Sequence, residues 1–212
     1  MLTVHLDSGE AVVTETGAMM AMDPALKFET NMKGGVFGAA KRVLGGETVF
    51  LNTYTASGPE QRIDIAPSQP GDLIHLALDG TTSLTVQRGS FCASTPGVSL
   101  DAKWEGAKGF LSREGLIMLK CTGAGDLWLS SYGAVHEVYV EDGYIVDTGH
   151  VVAFEDTLTY KVTRTGGMKS LFLSGEGLVC RFQGRGRVWV QTRDASSLAS
   201  FLHPFRPVQK KN

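Results

Sequence analysis

Short stretches of alternating apolar and polar residues recur along the chain. In three of them two aliphatic side chains flank a polar or aromatic one: residues 63–65, 127–129 and 188–190. A period of two is typical of a β-strand that buries one face. We therefore expect Ile63, Leu127 and Val188 to be buried at matching positions of three strands.

These stretches belong to a longer pattern that occurs three times. The copies span about residues 9–67, 78–138 and 140–193. Self-similarity in a fixed order predicts small units that bury their apolar faces against one another. Long helical patterns are missing from the sequence. The prediction is therefore a single all-β domain over residues 1–212, with three units packed about a pseudo-threefold axis.

Glycine-containing turns and two short helices complete the pattern. Residues 123–125 and 184–186 predict tight hairpins between consecutive strands, because glycine supplies the positive φ angles of such turns. A short amphipathic helix is predicted from about residue 36 to 44. Another is predicted around Ala195 to Leu202, within a C-terminal tail over residues 194–212 that frays at its end.

The composition is that of an ordinary globular protein. The 212 residues are 42% hydrophobic and 20% charged, with a formal net charge of −2. That charge argues against a surface built for polyanions, so we expect no strong nucleic-acid binding. No apolar stretch approaches the ~20 residues of a membrane span, and no signal peptide is evident. We therefore expect a soluble, cytoplasmic protein without a transmembrane segment.

No residue pattern marks an active site. The sequence offers no nucleophile with its base, no metal-ligand spacing and no phosphate-binding loop, so we expect no catalysis, metal or cofactor. His75 and His136 hold roughly equivalent places on two linking strands. They either meet in a site or have structural roles on their strands, and the structural interpretation is preferred. The cysteines lie in apolar runs and are expected to be buried thiols: Cys92, Cys121 and Cys180.

A glutamate precedes an apolar strand in each copy, at Glu47, Glu114 and Glu176. Three carboxylates around a threefold axis would suit a cation. Alternatively, each glutamate caps its turn or pairs with the lysine of its own insert, as Glu47 would with Lys41. The structural alternative is preferred, because repetition in every copy is what a structural device would show.

Aromatic residues are the candidates for contact with a partner. Trp128 and Trp189 are expected on the strand face opposite the aliphatic residues, where they either stack a nucleobase or pack against another repeat or subunit. Packing is preferred, because basic residues are not interleaved with them. Phe37, close to Lys41 in the first insert, either contacts a membrane surface or a partner, or caps the sheet.

Six short segments occur in the order found in one protein family: residues 18–24, 44–47, 87–91, 130–134, 146–150 and 175–178. They resemble the bacterial and archaeal relatives of the mitochondrial biogenesis protein named for altered inheritance of mitochondria, long filed as a domain of unknown function. The resemblance covers about residues 2–193. It implies antiparallel β-sandwich units similar to the tryptophan RNA-binding attenuation protein, repeated within one chain. It implies no established activity, since a shared fold does not carry function.

The function expected from these observations is structural. We expect a scaffold or binding protein that self-associates, because strand edges and the apolar first insert invite contact with a second copy. A homotrimer would extend the threefold theme. The alternative is a ligand-binding or nucleic-acid-binding module that uses the tryptophans, and an enzyme ranks third.

Overall fold

The structure is a computed structural model that describes residues 1–32, 50–103, 117–164 and 178–206. Strands dominate these residues, as the alternating pattern predicts. In chain order the strands are β1 (Leu2–Leu6), β2 (Ala11–Glu15), β3 (Met19–Met22), β4 (Lys27–Met32), β5 (Phe50–Thr55), β6 (Gln61–Ile65), β7 (Leu73–Asp79), β8 (Leu84–Gln87), β9 (Phe91–Ser94), β10 (Val98–Lys103), β11 (Met118–Ser130), β12 (Val135–Val140), β13 (Tyr144–Asp147), β14 (Val151–Glu155), β15 (Thr159–Arg164), β16 (Leu178–Gln183) and β17 (Gly186–Gln191).

Helix α1 (Ala195–Leu202) lies where the sequence predicts a short helix. The carboxylate of Asp194 caps its first turn, because it accepts hydrogen bonds from the backbone N–H groups of Ser196 and Ser197. A single 3-10 turn at His203–Phe205 follows. No helix in the described part of the chain combines the length and the apolar composition needed to cross a membrane.

The strands pair in antiparallel ladders that form four groups. Sheet A has the order β1-β6-β3, and sheet D has the order β13-β16-β15. The remaining strands form one 11-stranded sheet, which the long strand β11 divides into two parts. Sheet B is the part β4-β5-β2-β9-β11-β7, and sheet C is the part β10-β11-β8-β14-β17-β12.

Strand β11 changes partners at two glycines. Its residues 118–123 pair with β10, and its residues 124–130 pair with β7. Gly123 and Gly125 have φ angles of +97° and +146°, and a Cβ on Gly123 would lie 2.3 Å from the Gly97 carbonyl oxygen. Only glycine fits such a position. The hairpin predicted at residues 123–125 is therefore wrong, because the strand continues from one part of the sheet into the other.

The hairpin predicted at residues 184–186 is also wrong. Strand β16 pairs with β13 and β15 in sheet D, whereas β17 pairs with β12 and β14 in sheet C. The positive φ of Gly184 therefore turns the chain from one sheet to the next. A glycine-containing turn between two strands does not by itself predict that the two strands pair with each other. Their pairing also depends on which other strands the fold brings alongside them.

The core lies between successive sheets. Ile63, Leu127 and Val188 are fully buried, as the sequence predicts. Ile63 belongs to an apolar cluster built from sheets A and B. Leu127 belongs to a cluster built mainly from sheets B and C. Val188 belongs to a cluster built from sheets C and D.

The prediction of an all-β protein is confirmed by these antiparallel sheets. The sheets follow one another in the order A, B, C, D. Strand β3 lies at the edge of sheet A and β13 at the edge of sheet D, and the two are not hydrogen-bonded to each other. The ladders of the described strands therefore form an open series.

Candidate functional site

The apolar side chains of β3 form a distinctive surface at one end of the series. Met19, Met20 and Met22 are all exposed, and Met20 is 55% exposed. Strand β3 pairs with β6 on one side only, so its other side presents backbone groups that no described strand satisfies. Such an edge is a template for a further strand. We call this strand and its methionines the β3 edge.

A second apolar edge lies at the other end of the series. Tyr144 and Ile145 of β13 are 37% and 51% exposed. Strand β13 pairs with β16 on one side, and no described strand pairs with the other. We call this strand the β13 edge.

Strand edges are expected from the sequence to invite contact with a second copy, but these two strands are not identified there, because only the first insert and the tryptophans are named as contact residues. A signal for the β3 edge is nevertheless present. Residues 19–22 are all apolar, without the alternation of a strand that has one wet face. An uninterrupted apolar strand needs cover on both faces, and the described part of the chain leaves β3 exposed along its whole length.

A polar and aromatic cluster lies on sheet B, where β7 pairs with β11. His75 lies opposite Trp128 in this ladder, and the two rings are 5.4 Å apart between centroids. Nε2 of His75 lies 2.6 Å from Oδ1 of Asp126, and both side chains are about half exposed. Such an exposed contact contributes little stability, but it holds the imidazole against the indole. Trp128 itself is half-buried and packs on the cluster between sheets A and B.

His136 occupies a different position on its strand from His75. It lies on β12 opposite Val190, whereas the next residue, Glu137, lies opposite Trp189. Because successive side chains in a strand point to opposite faces, His136 faces away from that tryptophan. The equivalence expected from the sequence is therefore displaced by one residue. The reason is that spacing from a turn does not fix the register of a strand pair.

Trp189 lies inside the protein. It is only 3% exposed and belongs to the cluster between sheets B and C. The guanidinium of Arg187 lies 5.3 Å from its ring centroid. A ring that is covered in this way offers no free face to a nucleobase.

Glu15 is a partly buried carboxyl that no motif in the sequence marks. It is the last residue of β2, and burial raises its pKa to about 6. A hydrogen bond from the Ser68 backbone and the charge of Arg88 lower this pKa, but by less than burial raises it. A carboxyl with a pKa near neutrality is a feature of proton-transfer sites, although structural carboxyls also show it. No sequence pattern predicts this shift, because its main cause is desolvation in the folded chain.

The three cysteines are chemically quiet. Cys92, Cys121 and Cys180 are free and buried, as the sequence predicts. Burial raises the pKa of each thiol to about 12. A thiol at such a pKa supplies almost no thiolate at neutral pH, so these residues do not act as nucleophiles.

An open cleft lies beside helix α1. Its volume is about 390 Å³, and its lining includes Tyr132, His150, Arg193 and Phe201. Nδ1 of His150 donates to the backbone oxygen of Gln191 at 2.7 Å, which leaves Nε2 as the acceptor in the neutral ring. The cleft is wide open to solvent, so it would hold a ligand only at the surface.

Five residues singled out from the sequence lie outside the described residues: Phe37, Lys41, Glu47, Glu114 and Glu176. The same holds for the helix predicted from about residue 36 to 44. Within residues 1–32, 50–103, 117–164 and 178–206, no group of three or more histidine, cysteine, aspartate or glutamate side chains is arranged to hold a metal ion.

Known proteins resemble this chain over nearly its whole length. An uncharacterized protein of Streptococcus pyogenes serotype M6 is 24% identical over 217 residues, which covers 98% of this chain and 87% of that protein. The X-ray crystal structure of a Streptococcus pyogenes protein is similar, with a TM-score of 0.82 at 23% identity. It covers 96% of this chain and 93% of that chain, and at this identity it shows a shared fold.

The family resemblance seen in the sequence segments is confirmed. The relatives just described are bacterial, and one is named as uncharacterized. The model of the family described as Mitochondrial biogenesis AIM24 matches residues 1–193, and the chain therefore belongs to that family.

Proposed function

We propose that this protein is a non-catalytic scaffold that assembles with copies of itself through its two end sheets. The observation that carries the proposal is the exposure of apolar side chains at the β3 edge and the β13 edge. Natural β-proteins usually cover, charge or shorten a strand edge to prevent unwanted pairing. Two apolar edges at opposite ends of the series of sheets favour association as their role.

A three-repeat organisation supports this proposal. We divide the chain into strands β1–β6, β7–β11 and β12–β17, and count the two halves of β11 as two strands. In each unit the sixth strand then pairs with the first strand on one side and with the third on the other. The fifth strand pairs in the same way with the second and the fourth. One topology in three consecutive segments is what internal duplication would produce.

The registers of the ladders support the same division. Ala21, Ala93 and Ala153 of the third strands lie opposite Asp64, Trp128 and Trp189 of the sixth strands. An irregularity in pairing lies just before each alanine or directly beside it. Matched bulges at matched positions favour repeated units over chance similarity, because bulges are conserved features of a fold.

The units are proposed to be β-sandwiches similar to those of the tryptophan RNA-binding attenuation protein. Clusters of buried residues between sheets A and B, B and C, and C and D are consistent with three such sandwiches. A ring closed about a threefold axis within one chain would need a ladder between β3 and β13. We therefore favour an open series within one chain and closure by other copies, for which a homotrimer is the proposed assembly.

Sedimentation velocity at micromolar concentration tests this function. We expect a mass that is a multiple of 22.7 kDa, with three copies in the proposed assembly. Light scattering on the same samples gives an independent mass. A monomer at all concentrations would contradict the proposed function.

A ligand-binding role is the alternative, and the cluster of His75, Asp126 and Trp128 favours it. An imidazole held beside a half-buried indole forms a polar and aromatic surface of the kind that contacts a planar ligand. The side chain of His75 is half exposed and therefore accessible. Tryptophan fluorescence during titration with free nucleosides tests this role, with a Trp128→Phe variant as the control.

A further inference from the structure

We infer that β13 of one copy pairs antiparallel with β3 of the next copy, so that sheets D and A join into one six-stranded sheet. The inference rests on the proposed self-assembly and identifies its surfaces. It follows from two junctions within the chain that show how one group of three strands joins another.

The first junction is the ladder between β2 and β9, which lies inside sheet B. It joins β4-β5-β2 to β9-β11-β7. The second junction is the ladder between β8 and β14, which lies inside sheet C. It joins β10-β11-β8 to β14-β17-β12. In both cases the second strand of one unit pairs with the third strand of the following unit.

Sheets A and D are the two halves that such a junction would join. Sheet A ends in β3, the third strand of the first unit, and sheet D ends in β13, the second strand of the last unit. The outer strands of sheets B and C are always the first or fourth strands of a unit. Among the described strands, β3 and β13 are thus the junction strands that remain without a junction.

The burial of matching residues supports this assignment. Every residue of β9 and of β14 is buried, whereas every residue of β3 is exposed. In the same way, the first three residues of β8 are buried, whereas Tyr144 and Ile145 of β13 are exposed. Side chains that are covered at both internal junctions are therefore uncovered at the two ends.

The internal junctions also define the register between copies. Thr14 lies opposite Ala93 in the first junction, and Val86 lies opposite Ala153 in the second. The residues at the corresponding positions of β13 and β3 are Val146 and Ala21, so these two are expected to lie opposite each other between copies. Next to them, Val13 lies opposite Ser94 and Thr85 lies opposite Phe154. The corresponding pair between two copies is Ile145 with Met22.

This contact joins different surfaces of the two copies, so it is a head-to-tail contact. Head-to-tail contacts form a ring if the rotation between copies closes and a filament if it does not. Cysteine cross-linking tests the register directly. Opposed residues in antiparallel strands have Cα atoms roughly 4.5–5.5 Å apart, which suits a disulfide.

The first experiment mixes a Met22→Cys variant with an Ile145→Cys variant under mild oxidation. We expect a covalent dimer of twice 22.7 kDa in the mixture and in neither variant alone. The native cysteines do not interfere, because all three are buried and burial raises their pKa to about 12. Met22→Cys mixed with Tyr139→Cys is the matched control, since Tyr139 is 60% exposed on β12. Equal cross-linking in that control would overturn the inference.

The second experiment places a charge on the β13 edge and needs no cross-link. Ile145→Lys is expected to reduce the assembly to the monomer mass, whereas Tyr139→Lys leaves the assembly intact, because a lysine on an unpaired edge opposes strand addition. Circular dichroism checks that both variants are folded. If the unaltered protein assembles, and Ile145→Lys neither weakens assembly nor differs from the control, the inferred pairing is wrong while self-assembly stands. If the unaltered protein is a monomer, both proposals fail.

Discussion

Glu155 holds Arg187 at two points across sheet C. Its Oε2 atom accepts a hydrogen bond from the backbone N–H of Arg187 at 2.8 Å, and its Oε1 atom accepts one from Nε of the same residue at 2.8 Å. The carboxylate is 11% exposed, whereas the arginine side chain is 46% exposed. Glu155 therefore fixes the backbone at the start of β17, and it also holds the Arg187 guanidinium in its position over the ring of Trp189.

Replacement of Glu155 by alanine is expected to lower the free energy of unfolding by about 1–3 kcal/mol. The cost arises because the backbone N–H of Arg187 loses its acceptor in a poorly hydrated place. Urea denaturation measures the change. Glu155→Gln keeps an acceptor and should cost less, so an equal cost for both variants would contradict this explanation.

Leu127→Ala is expected to destabilise the protein by about 2–5 kcal/mol, because Leu127 is fully buried in the cluster between sheets B and C. Chemical denaturation monitored by circular dichroism gives the value. Tyr139→Ala on the exposed face of β12 is the control and should change stability by less than about 0.5 kcal/mol. A loss below that value for Leu127→Ala would show that the residue is not part of the core.

The effect of Glu15→Gln is expected to depend on pH. The folded carboxyl has a pKa of about 6 against an ordinary value of 4.5, so the folded chain binds more protons than the unfolded chain between these values. Stability from this group is therefore present below pH 4.5 and is lost as pH rises through 6. The glutamine variant should match the native chain below pH 4.5 and exceed it by about 1 kcal/mol above pH 6, after allowance for solvent screening.

Urea denaturation of the native chain and of Glu15→Gln across this pH range provides the measurement. A difference between the two proteins that stays constant with pH would rule out a raised pKa at Glu15.

Nucleic-acid binding is expected to be weak and nonspecific. A formal net charge of −2 leaves little counterion release to drive association. Fluorescence anisotropy with labelled single-stranded RNA and DNA at physiological salt provides the measurement. A submicromolar dissociation constant would instead favour the nucleic-acid-binding alternative.

The sequence predicts the class of the fold because strand periodicity is a local property. Alternation at residues 63–65, 127–129 and 188–190 predicts buried aliphatic side chains, and Ile63, Leu127 and Val188 do lie in the core. It does not predict that the opposite face is also buried at Asp64 and Trp189. The helix at Ala195–Leu202 is likewise local, since Asp194 caps its first turn. Family membership also follows from the order of short segments along the chain.

The candidate site is much less predictable, as the two histidines illustrate. His75 and His136 hold roughly equivalent places on two linking strands of the sequence, yet only His75 lies opposite a tryptophan, because a shift of one residue turns a side chain to the other face. The raised pKa of Glu15 also depends on residues that only folding brings near it.

By itself, the sequence determined that strands dominate the chain, that certain aliphatic residues within them are buried, and where one short helix lies. These properties depend on neighbouring residues, so local periodicity reveals them. The tertiary structure decided which strands pair, for example that β16 and β17 separate into different sheets. It also decided which apolar side chains remain uncovered, namely those of Met19, Met20 and Met22 on β3 and those of Tyr144 and Ile145 on β13. Pairing and cover depend on residues distant in sequence, because backbone hydrogen bonds between strands can form with any edge that the fold brings into register.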